Sequence, residues 1–132
     1  MTQEMYEFFH PATGCERCPA LAEARHTIVW GRGPAQADLM LIGETPGYRE
    51  DQQGLPFEPS TVHIANRLMC RPPDNRDPTP EEMDNCEAWL LEHVRMVNPK
   101  GIVLFGRAAV SWRFDKYTIA QTQGMMTRET CE

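Results

Sequence analysis

The chain has 132 residues, enough for one domain and no more. Hydrophobic residues make up 41% and charged residues 24%, which permits a real but small core. Lys and Arg number 13 against 19 Asp and Glu, a net charge of −6. This excludes a broad basic surface, so any nucleic-acid contact must rest on local residues.

Eleven prolines and nine glycines promise many loops. No apolar run approaches membrane-spanning length, and the first residues lack the shape of a signal peptide. The sequence therefore reads as cytoplasmic. In that compartment five cysteines point to a metal or to catalysis before disulfides.

Residues 2–9 read as a short helix with Met5, Phe8 and Phe9 on one side, ended by Pro11 and Gly14. Cys15-Glu16-Arg17-Cys18 follows as a C-x2-C hook. Residues 20–25 read as a helical turn and residues 27–30 as a β-rich run. Gly31-Arg32-Gly33-Pro34 is a turn, badly placed for a dinucleotide fingerprint. Residues 38–42 are apolar on both faces, as a buried parallel strand should be.

The loop that leaves this strand runs from Gly43 to Phe57 and carries Glu44, Glu50 and Asp51 among three glycines. Loops at the carboxyl ends of α/β strands are where ligands bind. Its Gly, Pro and Gln content argues for loop rather than a full helix. Residues 61–66 are the second strand, and the run from Cys70 to Pro78 is a proline-broken loop.

Thr79-Pro80-Glu81-Glu82 is a helix start, with Thr79 as N-cap, Pro80 in the first turn and Glu82 closing a capping box. Met83, Cys86, Leu90, Val94 and Val97 give the helix one apolar face, and Asn98-Pro99 stops it. Residues 101–105 are a third strand, expected to be buried on both faces. Gly106 opens another helix to about Trp112, and Tyr117-Thr118-Ile119 is a β-like patch beyond it. Strands alternating with helices predict an α/β fold, a small three-layer sandwich with a parallel sheet of three to four strands.

Cys15, Cys18, Cys70 and Cys86 make a candidate four-thiolate site, suited to zinc or to an iron–sulfur cluster. Only one short hook is present, which tilts the reading toward a cluster. Cys86 alone also reads as a core thiol. In the acidic loop, Glu44 can hold a water or balance developing positive charge. Phe57 offers a flat face, and Asn66 presents a donor and an acceptor together, suited to a nucleobase edge. The plain alternatives are that Phe57 plugs the core, Glu44 caps a backbone turn and Asn66 satisfies an edge backbone group.

The motifs Cys15-x-x-Cys18-Pro19, Gly43-Glu44-x-Pro46-Gly47-x-x-Glu50-Asp51-x-x-Gly54-x-Pro56-Phe57, Asn66-x-x-x-Cys70-Arg71-Pro72-Pro73-x-Asn75-Arg76-x-Pro78 and Glu82-x-x-x-Cys86 resemble the iron–sulfur uracil-DNA glycosylases of the family 4 and 5 type. The run from Pro99 to Ala109 resembles the strand and helix that follow in them. The resemblance implies a uracil-DNA-glycosylase-like domain over residues 1–132, with residues 1–36 as an N-terminal cluster-ligand segment. It implies a [4Fe–4S] cluster on Cys15, Cys18, Cys70 and Cys86, with zinc as the alternative. It implies hydrolysis of the N-glycosidic bond of uracil in DNA, with Glu44 and Glu50 as the acids, Phe57 stacking on the base and Asn66 reading its edge. Arg71, Arg76 and Lys100 are candidates for phosphate contact.

Two departures from the family pattern stand out. Phe57 is followed by Glu58-Pro59-Ser60 and then directly by the second strand, about one helix short. The chain also reaches Glu132 without a late His-Pro-Ser motif, and His63 alternates with Ile64 onto the face opposite its neighbour. Loss of one preorganised donor costs on the order of 3 kcal/mol. The expectation is thus a compact, weak glycosylase acting on single-stranded DNA or on a flipped base. The alternatives are a non-catalytic iron–sulfur DNA- or protein-binding derivative, half of a split enzyme completed by a partner chain, or a glycosylase for another modified base.

Overall fold

The computed structural model describes residues 3–9, 14–54 and 62–114. Phe57, the residues after it up to Thr61, and the 117–119 patch lie outside them. The elements in chain order are α1 (Gln3–Phe9), α2 (Pro19–Ala24), β1 (Leu39–Gly43), α3 (Tyr48–Gln53), β2 (His63–Asn66), a 3-10 turn (Pro73–Asn75), α4 (Pro80–Val97), β3 (Gly101–Leu104) and α5 (Arg107–Phe114). The three strands form a parallel sheet in the order β2-β1-β3. The expected α/β fold with a small parallel sheet and flanking helices is what forms.

The start of α4 follows from its sequence. Thr79 Oγ1 accepts from the Glu82 N–H at 3.2 Å, and Glu82 Oε1 accepts from the Thr79 N–H at 2.9 Å. Asn98 ends the helix in the left-handed region at φ 48°. The face expected to be apolar is the one that is buried. Leu90, Val94 and Val97 join Met40, Ile42 and Ala65 of the sheet and Ala109 and Trp112 of α5 in one core. Burying a side chain the size of Leu90 stabilises by about 1.5–3 kcal/mol.

The expectation that the strands are buried on both faces holds for one face only. Met40 and Ile42 are fully buried, whereas Leu39 is 37% exposed, Val103 38% and Phe105 53%. The topology gives the reason. The β1-to-β2 and β2-to-β3 connections run in opposite directions, so right-handed crossovers place them on opposite faces. The second carries the 18-residue α4. In the first, the described residues supply only the six-residue α3.

Two local points are settled by the fold. The β-rich run at residues 27–30 forms no strand. Val29 N–H donates to Met69 O at 2.7 Å, and a lone antiparallel bridge joins Arg32 to Ile64. The glycines at 31 and 33, with φ of 140° and 135°, break the run before it can extend. The loop after β1 does hold a short helix, α3, because Gly54 ends it in the left-handed conformation and its N–H returns to Glu50 O at 2.7 Å.

His63 lies on the buried face, away from Asn66 by the alternation of the strand. Its Nδ1 donates to Pro34 O at 2.9 Å. With that proton placed, its Nε2 accepts from His93 Nε2–H of α4 at 2.7 Å. Desolvation by burial lowers the basicity of both rings, and His93, also facing His63, is pushed down to about 3. The pair is therefore a neutral tie between β2 and α4.

Candidate functional site

Parallel pairing sets the carboxyl edge of the sheet. Gly43, the last residue of β1, pairs with Asn66, the last of β2. A Cβ at Gly43 would stand 2.6 Å from Asn66 Oδ1, so the missing side chain is what lets the carboxamide lie across the strand end. The backbone then knits the loops together. Arg67 N–H donates to Gly43 O at 2.8 Å, Leu68 N–H to Glu44 O at 3.0 Å and Phe105 N–H to Ile42 O at 2.8 Å.

Glu44 turns toward α5, where its Oε2 accepts from the Ala108 N–H at 3.0 Å. Gly106, at φ 88°, makes room, since a Cβ there would run into the Glu44 carboxylate. Glu44 thus caps a helix start, as its plain alternative expected, and sits on the same edge as Asn66. Phe105 adds a half-exposed ring at the end of β3. Glu50 lies on α3 with its carboxylate folded back beside Gly47. Phe57 lies outside the described residues.

Asp51 lies beside Glu50 on α3. It is 1% exposed and accepts from the His26 N–H at 2.9 and 3.0 Å and the Thr27 N–H at 3.2 Å. It fastens the acidic loop to the segment just after α2. An acidic cluster in the sequence carries no sign of which member turns inward.

The four cysteines come together. Cys15, Cys18, Cys70 and Cys86 all line one open pocket, walled by Leu21, Leu68 and Trp89. Cys18 is the N-cap residue of α2, and Cys86 lies on α4. Arg25 Nη1 donates to Cys70 Sγ at 3.5 Å and Asn85 Nδ2 to Cys18 Sγ at 3.7 Å. Burial raises the thiols of Cys18 and Cys70 and pushes Cys86 up to about 12. A metal centre would take these sulfurs as thiolates. Among the described residues, no three His, Cys, Asp or Glu side chains are disposed to hold a single metal ion. Four cysteines lining one pocket are a donor set that fits a thiolate-bound metal centre.

The basic candidates separate. Arg71 donates to Asn75 Oδ1 at 2.9 Å and lies 5.2 Å from the centre of the exposed Tyr48 ring, so the proline loop meets the acidic loop. Arg76 is engaged by Glu82 through two hydrogen bonds of 2.7 and 2.9 Å, which hold the Glu82 carboxyl below the usual carboxylate range. Lys100 precedes β3 and pairs with Asp38 at 3.0 Å, at the amino edge of the sheet. The structure does not bring it to Glu44 and Asn66. A sequence places Lys100 beside a strand but does not say which end of the sheet faces a ligand.

Among the described residues, no helix is long and apolar enough to cross a membrane. Residues 30–128 match the family model described as the uracil DNA glycosylase superfamily. The chain is 34% identical over 125 residues to the Type-4 uracil-DNA glycosylase of Archaeoglobus fulgidus, covering 82% of this chain and 62% of that protein. It is 35% identical over 129 residues to the Type-4 uracil-DNA glycosylase of Thermotoga maritima, covering 83% and 67%. A Type-5 uracil-DNA glycosylase of Pyrobaculum aerophilum is 44% identical over 52 residues, covering 39% of this chain and 22% of that protein. The chain thus spans about two thirds of the length of the first two relatives. With the motif loop on the carboxyl edge and the match extending over most of its residues, the chain belongs to the uracil DNA glycosylase superfamily.

Proposed function

We propose that the protein hydrolyses the N-glycosidic bond of uracil in DNA, acting on single-stranded DNA or on a flipped base. The observation that supports this reading is that Glu44 and Asn66 share the carboxyl edge of the sheet, Asn66 paired with Gly43 and Glu44 the next residue in the chain. In the reaction, water adds to C1′ of the deoxyribose as the bond from C1′ to the base breaks; the base leaves with the electron pair, and the proton the water sheds ends on the departed base, directly or through solvent. Glu44 is anchored through one oxygen to the α5 N–H. Its other oxygen is left to hold the water or to balance the positive charge that develops on the sugar. Glu50, on the adjacent helix, supplies a second acid to the same loop. Asn66 offers a donor and an acceptor to the edge of the base, and Phe57 stacks on its face. Arg71 is the phosphate contact that its position beside Tyr48 favours.

The cofactor of this reading is a [4Fe–4S] cluster held by Cys15, Cys18, Cys70 and Cys86. The support is a pocket that all four sulfurs line, with apolar walls and N–H donors toward two of the sulfurs. When bound, the cluster supplies a covalent tie between the hook, the loop after β2 and α4, and takes no part at the sugar.

The test is a cleavage assay on the full chain purified without oxygen. Single-stranded DNA carrying one uracil is incubated with wild type, Glu44→Gln and Asn66→Ala, then treated with alkali. Breaks at the uracil in wild type, reduced in both variants, are expected. Breaks no more frequent than in uracil-free DNA would remove the enzymatic reading and leave a binding module.

A further inference from the structure

All four cysteines line one pocket, and two of their sulfurs receive a donor from outside the motif set. Arg25 follows α2 directly, and its N–H closes that helix on Leu21 O at 2.9 Å. The next two backbone N–H groups are held by Asp51. The chain is therefore pinned on both sides of Arg25, and the guanidinium points at Cys70 Sγ, 3.5 Å away. Cys70 is 8% exposed. Among the described residues the guanidinium makes no ion pair with a carboxylate; its hydrogen bond goes to sulfur. Asn85 sits one residue before Cys86. Its Nδ2 bridges two acceptors, Arg17 O at 2.9 Å inside the hook and Cys18 Sγ at 3.7 Å.

We propose that Arg25 and Asn85 are positioning residues for the cluster ligands, holding Cys70 Sγ and Cys18 Sγ in place and offsetting the negative charge those sulfurs carry. The inference rests on the cluster reading above and goes beyond it. A neutral thiol is a weak acceptor, and a guanidinium aimed at one gains little. A metal-bound thiolate is charged, and charge-assisted hydrogen bonds are roughly twice as strong as neutral ones. Donors to the sulfurs also set the reduction potential of such clusters. An added electron makes the sulfurs more negative, so each donor favours the reduced form, Arg25 more than Asn85 because it brings a full charge.

The experiment uses the full chain, loaded with iron and sulfide without oxygen, as wild type, Arg25→Lys, Arg25→Met and Asn85→Leu. Iron per chain is measured first. The midpoint is then followed by visible absorption and electron paramagnetic resonance during titration with dithionite and mediators. Arg25→Met is expected to shift the reduction equilibrium about tenfold toward the oxidised form, a midpoint lower by about 59 mV for one electron. Asn85→Leu should move it less in the same direction, and Arg25→Lys should recover part of the loss. Both Arg25→Met and Asn85→Leu should release iron to a chelator faster than wild type. Midpoints equal to wild type in variants that keep their iron would overturn the proposal. Should Arg25→Met keep no iron, unchanged midpoints in Arg25→Lys and Asn85→Leu would overturn it equally. A wild-type protein that takes up no iron sinks the cluster reading, and the inference falls with it.

Discussion

The thiol pocket and the carboxyl edge of the sheet are built by different means. The pocket draws on the hook before α2, the loop after β2 and the middle of α4, segments far apart in the chain. Its shape depends on how helices pack on the sheet. The edge needs only that β1 and β2 pair in parallel and in register, which puts Asn66 beside Gly43, with Glu44 the next residue in the chain. Damage to the pocket should therefore travel through stability, while damage to the edge should touch activity alone. The two are not independent. Asp51 fastens the acidic loop beside Arg25, and only three residues lie between Asn66 and Cys70.

The largest expected effect tests the packing side. Leu90 is fully buried, one turn beyond Cys86 on α4. Leu90→Ala should cost about 3 kcal/mol of unfolding free energy through the lost transfer term and the cavity, read from urea denaturation, and should lower iron retention. Asn66→Ala tests the other side. It should lower the cleavage rate about a hundredfold, or about 3 kcal/mol, with a melting temperature within about two degrees of wild type. A large fall in melting temperature would mean that the edge is also a packing site.

The His63–His93 pair joins β2 to α4 and so joins the two regions. Both rings are less basic in the fold than the ordinary 6.5. Below pH 6.5 the unfolded chain takes up protons that the native pair refuses, so stability should fall as pH drops from 6.5, continuing toward pH 3. The slope is about 1.4 kcal/mol per pH unit for each ring at most. Urea midpoints at pH 7.5 and 5.5 read it, and His93→Gln should flatten the dependence. Glu82, held low by Arg76, adds its own loss only below about pH 4.5, so between pH 6.5 and 4.5 the histidine pair is read without it. The smallest effect is at the start of α4. Thr79→Ala removes half of the capping box and should cost about 1 kcal/mol, with iron retention nearly unchanged because the helix is held along its length by the core.

How much of this was legible in the sequence depends on the range of the interaction involved. Elements governed by neighbours in the chain were readable. The capping box, the apolar stripe of α4 and the Asn98-Pro99 stop are local chemistry, and the helix runs between the residues that the signals marked. The four cysteines and the acidic loop were also readable, because their residue types and spacing are themselves the signal.

What the tertiary structure alone decided depends on contacts across the chain. The exposed face carrying Leu39, Val103 and Phe105 follows from which connection crosses which side of the sheet, and an apolar strand reads the same whether one face or two are covered. Asp51 turns inward and Glu44 caps α5 because of backbone groups 24 to 64 residues away. Lys100 falls at the amino edge because parallel pairing aligns the strand starts there. Arg25 and Asn85 look like ordinary surface residues until folding sets a sulfur in front of each. Local propensity and motif spacing are carried by the chain itself, whereas the direction a side chain faces is set by partners that only the folded sheet brings near.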